Sequence, residues 1–218
     1  MITLYGVLRS RASRPGWLLY EAGAAFTHVP VIQAWRLKGA GGEVPLNTAS
    51  PAFLRVNPMG QIPALVDGAL VLTESLAITL HLARTVGGAL GPRDVAEAAL
   101  MEQWAFFAAS AIEVPALEIA SAERDGTMAA PEGRSIVALA AQTLRRPLAR
   151  VEAHLAGAGQ MVGGRFTVAD INLAESVRYA QGHPTLLDAF PAVKAWLEAC
   201  QSRPAFRKMW AARMAEAA

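Results

Sequence analysis

The chain has 218 residues, 53% of them hydrophobic, and a formal net charge of +2, enough apolar material for one large core or two modest ones. Its basic residues are dispersed, and its four histidines share no ligand spacing with one another or with the single cysteine, Cys200, so neither nucleic-acid binding nor a metal centre is expected. The mean hydropathy of +0.28 comes largely from alanine, every apolar stretch being interrupted within the length of a membrane span; with no export signal at Met1 to Tyr5, a cytoplasmic protein without a membrane segment is expected.

Ile2 to Tyr5 is an apolar run of strand length, Arg14 to Ala24 reads as a helix closed by Gly23, and His28 to Ile32 is strand-like again. A loop of turn formers, Gly39 to Pro51, leads to a short helical turn around Ala52 to Val56. Ile62 to Val66 and Leu70 to Leu72 flank Asp67-Gly68, a strong hairpin signal. Thr73 then caps a helix reaching about Thr85, with Leu76, Leu80 and Ala83 at helical spacing. The order is βαβ, then ββα.

Residues 86–92, Val-Gly-Gly-Ala-Leu-Gly-Pro, read as a linker, and beyond it strand signals vanish. Arg93 to about Arg124 and Glu132 to Leu155 read as long helices; Val168 to Tyr179, Ala189 to Cys200 and Pro204 to Met214 read as shorter ones. The division is therefore a mixed α/β domain over 1–85 and an all-helical domain over 93–218. Within the latter, Arg165-Phe-Thr-Val-Ala-Asp-Ile171 places Thr167 at an N-cap and Asp170 three residues on, a capping box with Phe166 and Ile171 in staple positions. Its role is structural.

Three segments carry residues suited to chemistry. Ile62-Pro63 follows Asn57-Pro-Met-Gly-Gln61 and reads either as a strand-start proline or as a cis bond turning the Ile62 amide and carbonyl outward, where an extended peptide can pair with them. Thr73-Glu-Ser-Leu-Ala-Ile78 offers helix N-terminal amides and the Ser75 hydroxyl to a carboxylate, with Glu74 for an ammonium group, or is simply a capped helix with an acid in its first turn. Leu8-Arg-Ser-Arg-Ala-Ser-Arg-Pro15 offers hydroxyls and amides that can polarise a thiol, or has Ser13 as an N-cap with Pro15 in the first turn.

Taken in order, the serine-rich turn, Asn-Pro-x-Gly-Gln-Ile-Pro-x-Leu, Asp-Gly, Glu-Ser-x-Ala-Ile and Phe-Thr-x-Ala-Asp-Ile resemble the cytosolic glutathione transferases over essentially the whole chain. The nearest branches are the serine-using theta, zeta and phi types and their bacterial relatives. The resemblance implies a thioredoxin-like N-terminal domain with a mixed four-stranded sheet, followed by an all-α bundle. It also implies glutathione as co-substrate, a homodimer formed through the alanine-rich fourth helix, and conjugation to a small hydrophobic electrophile in detoxification. By the family pattern Pro63 is cis, the Ile62 backbone pairs with the cysteinyl unit, Glu74 and Ser75 hold the γ-glutamyl end, and Gln61 lies nearby. Ser10 falls at the position that activates the thiol; Tyr5 is the rival donor and Ser13 the third.

The second-substrate pocket is expected between the domains, with Trp104, Phe107, Ala111 and Trp210 as its candidates. The sequence also departs from the pattern. Pro15-Gly16 replaces helix formers, and Thr48-Ala-Ser50 stands where a base often meets the glycine carboxylate, leaving Arg36 or Lys38 to fold over in its place. A zeta-type isomerase and a non-catalytic binding protein on the same fold are the alternatives. Cys200, late in the chain, and the lack of a Cys-x-x-Cys pair argue against thiol-exchange chemistry.

Overall fold

A computed structural model describes residues 1–37 and 45–216. The first half builds β1 (Ile2–Tyr5), α1 (Ser13–Glu21), β2 (Phe26–Val29), the short α2 (Pro51–Leu54), β3 (Ala64–Asp67), β4 (Leu70–Leu72) and α3 (Ser75–Thr85). The strands form one mixed sheet in the order β2-β1-β3-β4, with β1 parallel to β2 and antiparallel to β3, and β3 antiparallel to β4. This is the thioredoxin-like arrangement expected. The hairpin turns at Gly68, whose φ of 60° is a backbone angle that glycine adopts freely.

Helices α1 and α3 pack against each other; Ile2 and Leu4 of β1 are buried, and Trp17, Leu18, Leu19, Ile78 and Leu82 are fully buried. A second cluster forms around Val31, Phe53 and Ala64, joined by Tyr5, Leu46, Val56 and Ile62. The two helix starts differ from the sequence reading. Ala12, not Ser13, occupies the N-cap of α1, and Glu74, not Thr73, that of α3; neither makes a side-chain cap.

The remaining helices are α4 (Val95–Phe107), α5 (Val114–Arg124), α6 (Pro131–Ala158), α7 (Val168–Val177), α8 (Pro191–Ser202) and α9 (Pro204–Ala215). The single long helix expected from Arg93 to Arg124 is interrupted by a π segment, Ala108–Glu113, and Pro115 follows at the first turn of α5. This run, Val95–Arg124, is long and apolar enough to cross a membrane by length and composition, with mean hydropathy 1.4 over its most apolar window. That differs from the sequence reading, because its alanines outweigh its scattered acids. Met101, Trp104, Ala105, Ala108 and Ile112 are nonetheless buried within the helical unit. In α7 the capping box forms as read, and every residue of that helix is buried.

The chain divides into two compact units, one of Met1–Gly91 with Pro204–Ala218 and the other of Pro92–Arg203. The sequence reading puts α9 in the helical domain of 93–218, whereas by its contacts α9 groups with the first unit. The reason is packing on α1. The Trp17 and Phe206 rings meet edge-on at 4.9 Å, Met209 is fully buried, and the Lys208 ammonium stands 4.8 Å over the Tyr20 ring. The segment read as a linker also folds into the first unit, as a 3-10 turn, Gly88–Leu90, with Leu90 buried.

Candidate active site

Beyond Tyr5 the chain runs on alongside the segment after β2, with the Gly6 amide donating to Val29 O and the Val7 amide to Val31 O. It then turns sharply into α1. Ser10 controls that turn: its hydroxyl donates to Val7 O at 2.6 Å and accepts from the Ala12 amide at 3.1 Å, while its carbonyl accepts from the Ser13 amide. Ser10 thus does locally what was assigned to Ser13, whose side chain is fully buried. Tyr5 is half-buried, its ring 6.3 Å from Phe53 inside the second cluster, so its body serves packing.

The Ile62-Pro63 bond is cis. Among the described residues no backbone group pairs with the Ile62 amide or carbonyl. Ile62 is brought close to the serine turn because Gly6 has φ 126° and no side chain; a Cβ there would stand 3.0 Å from Ile62 Cβ. The preceding loop is shaped by buried Asn57, which donates from Nδ2 to Gln61 O at 2.7 Å and accepts the Met59 amide at Oδ1. Gln61 itself is exposed.

Glu74 is the one non-glycine residue with positive φ among the described residues, at φ 63° and ψ 110°. Such a conformation costs about 1–3 kcal/mol and tends to mark ligand-binding positions. It leaves the Glu74 side chain exposed and Ser75 buried at the first residue of α3. Beneath Ser75 lies Arg14, which the sequence reading did not single out. Its guanidinium, almost wholly buried, donates from Nη1 to Ser75 Oγ at 2.9 Å. With that donor in place, the serine proton is left for an incoming acceptor at the α3 N-terminus.

Arg36, in the 3-10 turn Ala34–Leu37, donates from Nη2 to Arg9 O at 3.3 Å, and its guanidinium lies 5.3 Å from the Trp35 ring centroid. Lys38, its alternative, falls outside the described residues. Of the second-substrate candidates, Trp104, Phe107 and Ala111 lie in the helical unit and Trp210 in the first. Trp104 is buried, edge-on to Phe107 at 5.4 Å and 4.9 Å from the His154 ring. Phe107 and Ala111 are half-buried, and Trp210 stacks on Phe206 at 5.6 Å. Among the described residues no group of three or more histidine, cysteine or acidic side chains could hold a metal ion.

A family model described as the glutathione S-transferase N-terminal domain matches residues 10–85, and one described as the C-terminal domain matches residues 98–204. Glutathione S-transferase 3 of Zea mays is 36% identical over 220 residues, covering 97% of this chain and 94% of its own. Among solved structures, the theta class glutathione S-transferase of the citrus canker pathogen Xanthomonas axonopodis pv. citri, with glutathione bound, is 32% identical with a TM-score of 0.77, covering 95% of each chain. Glutathione S-transferase I from maize, in complex with an atrazine glutathione conjugate, is 29% identical with a TM-score of 0.81, covering 99% of each chain. Both units of the chain are accounted for by these matches, and the protein belongs to the glutathione S-transferase family.

Proposed function

We propose that this glutathione S-transferase binds glutathione along the Ile62 backbone and the start of α3, ionises its thiol at Ser10, and transfers it to a small hydrophobic electrophile. The observation that carries the reading is the gathering of Ser10, the unpaired Ile62 backbone and the strained Glu74-Ser75 step on the sheet and helices of one unit. The Ile62 amide and carbonyl pair with the cysteinyl unit as an added strand. Glu74 takes the γ-glutamyl ammonium, Ser75 and the α3 amides take its carboxylate, and Gln61 flanks them. Arg36 is the cation proposed for the glycine carboxylate.

The chemical task is to hold the thiol as thiolate near neutral pH. A free cysteine thiol ionises near pH 8.5, and lowering that by ~2 takes ~2.7 kcal/mol of preference for the anion. A hydrogen bond to a charged acceptor contributes about 1.5–3 kcal/mol, and the amide end of α1 about 0.3–1 kcal/mol more. The Ser10 hydroxyl, which donates to Val7 O, rotates to donate to the sulfur instead. The thiolate lone pair then forms the new C–S bond. The leaving group departs with its bonding electrons, or, on an activated double bond, the electron pair moves to carbon and is protonated by solvent.

The atrazine glutathione conjugate held by the maize neighbour supports a hydrophobic electrophile as the second substrate. Trp104, Phe107, Ala111 and Trp210 remain the candidates for its site. The proposed setting is the cytoplasm, with a role in detoxification. Association as a homodimer is supported by the exposed Val95, Leu100 and Phe106 of α4, apolar surface that a partner copy would cover.

Ultraviolet difference spectra of bound glutathione, titrated with pH, test the reading on wild type and Ser10→Ala. Wild type is expected to form thiolate well below the pH at which free glutathione does, and the variant to lose that advantage. A variant that titrates like wild type removes Ser10 from the mechanism and makes Tyr5→Phe the next test. A wild type that binds glutathione but forms no thiolate leaves a binding protein.

A further inference from the structure

The two ends of the chain are tied together at the serine turn. Glu216, just past the end of α9, accepts the Leu8 amide at Oε1 (2.6 Å) and the Arg9 amide at Oε2 (2.9 Å), so one carboxylate spans the two amides that precede Ser10. The Arg9 side chain reaches back. Its Nε donates to Arg213 O at 3.1 Å and its Nη2 approaches Met214 O at 3.4 Å, supplying carbonyls that the last turn of a helix cannot satisfy itself. Arg213 in turn donates to Leu8 O, and Arg36 to Arg9 O. Backbone groups of both Leu8 and Arg9 are thus held by Arg213 of α9 and Glu216 just beyond it, across more than 200 residues of sequence.

From this geometry we propose that Glu216 is a positioning residue, holding the turn before Ser10 so that the serine hydroxyl is aimed at the sulfur. The proposal rests on Ser10 being the thiol donor. Ser10 follows directly on Arg9 and its carbonyl is held by the Ser13 amide, so a shift of Leu8 or Arg9 moves the hydroxyl. The carboxylate is met by the two backbone amides of Leu8 and Arg9, which spend much of its negative field locally. Its grip on the backbone therefore outweighs its repulsion of a nearby thiolate.

The test compares wild type with Glu216→Ala, Glu216→Gln and Arg9→Met by thiolate titration, steady-state kinetics and thermal unfolding. Glu216→Ala is expected to raise the pH of thiolate formation by about half a unit and lower kcat about threefold, misaimed groups losing rate steeply with small displacements. Glu216→Gln keeps one acceptor oxygen and falls between alanine and wild type. Arg9→Met moves both readouts the same way, and these two variants carry the test if Glu216→Ala does not fold.

Unchanged titration and kcat with only a lowered Tm would overturn the positioning role. So would a thiolate forming at lower pH in Glu216→Ala, since charge rather than hold would then be what the sulfur feels. Ser10→Ala, run alongside, separates the two ideas. If it titrates like wild type, the Ser10 reading fails and this one falls with it; if it loses the thiolate while the Glu216 variants keep it, only the positioning role is lost.

Discussion

Replacing Asp170 by alanine removes a single carboxylate that four donors share. Its Oδ1 accepts the Met161 amide at 3.1 Å and Trp196 Nε1 at 2.9 Å; its Oδ2 accepts the Thr167 amide at 2.9 Å and the Thr167 hydroxyl at 3.1 Å. The hydroxyl can turn elsewhere, but the three N–H donors have no such freedom. Thr167 and Asp170 are fully buried, and Met161 and Trp196 nearly so. An unsatisfied buried donor costs about 1–3 kcal/mol, so three of them place the loss at roughly 3–9 kcal/mol, a large part of the 5–15 kcal/mol that folded domains have to lose.

Asp170→Asn separates hydrogen bonding from charge. Burial is the larger influence on this carboxyl and holds its pKa above the ordinary 3.8, so a neutral amide escapes a desolvation cost. Its NH2 group, however, must face one of the donors that a carboxylate oxygen accepted. The expected loss is about 2 kcal/mol, one unsatisfied amide offset in part by the charge removed. Urea unfolding followed by tryptophan fluorescence and far-ultraviolet circular dichroism measures both variants. An Asp170→Ala loss below about 1 kcal/mol, or an asparagine variant as unstable as the alanine one, would refute this reasoning.

Two further outcomes follow from the described side chains. Arg14→Met removes the buried donor to Ser75 and is expected to raise KM for glutathione about tenfold with kcat nearly unchanged, a charged hydrogen bond being about 1.5 kcal/mol or more; an unchanged KM in a folded variant would deny Arg14 a part in binding. Glu97 accepts both Arg165 Nη1 and Nη2, at 2.8 and 2.7 Å, and the Arg93 amide, and these bonds lower its pKa from 4.5 to about 2. A depressed carboxylate pKa contributes stability that is complete above the unfolded value and lost as pH falls through the folded one. Between pH 4.5 and about 2 the wild type is therefore expected to lose stability more steeply than Glu97→Gln, as followed by acid titration of Tm, and parallel curves would contradict this.

Much of the first unit was legible because its signals are local. The hairpin forms at the Asp67-Gly68 signal, one residue on, with Asp67 paired to Leu70 and Gly68-Ala69 as the two-residue loop, and Ile2 to Tyr5 makes a strand as its apolar run predicts. Thr167 and Asp170 form their box because all its groups lie within one helical turn. The cis Ile62-Pro63 bond is different: spacing alone leaves a strand-start proline and a cis bond both open, and the resemblance points to cis. Errors gathered at helix starts. Thr73 and Ser13 have the right side chains for caps, yet the backbone at Glu74 takes a positive φ, and Ser10 captures the Ala12 amide first.

By itself, then, the sequence determined the order of strands and helices, the hairpin and the capping box, because each depends on neighbours a few positions away. Tertiary structure alone decided that α9 joins the first unit, that Arg14 lies buried beneath Ser75, that Arg36 folds toward the serine turn and that Glu216 grips its amides. No period or propensity encodes a contact between residues 8 and 216, since nothing in either segment's local energetics refers to the other. Such a contact comes into being only when Trp17 and Phe206 pack α1 against α9 and bring the end of the chain back to its beginning.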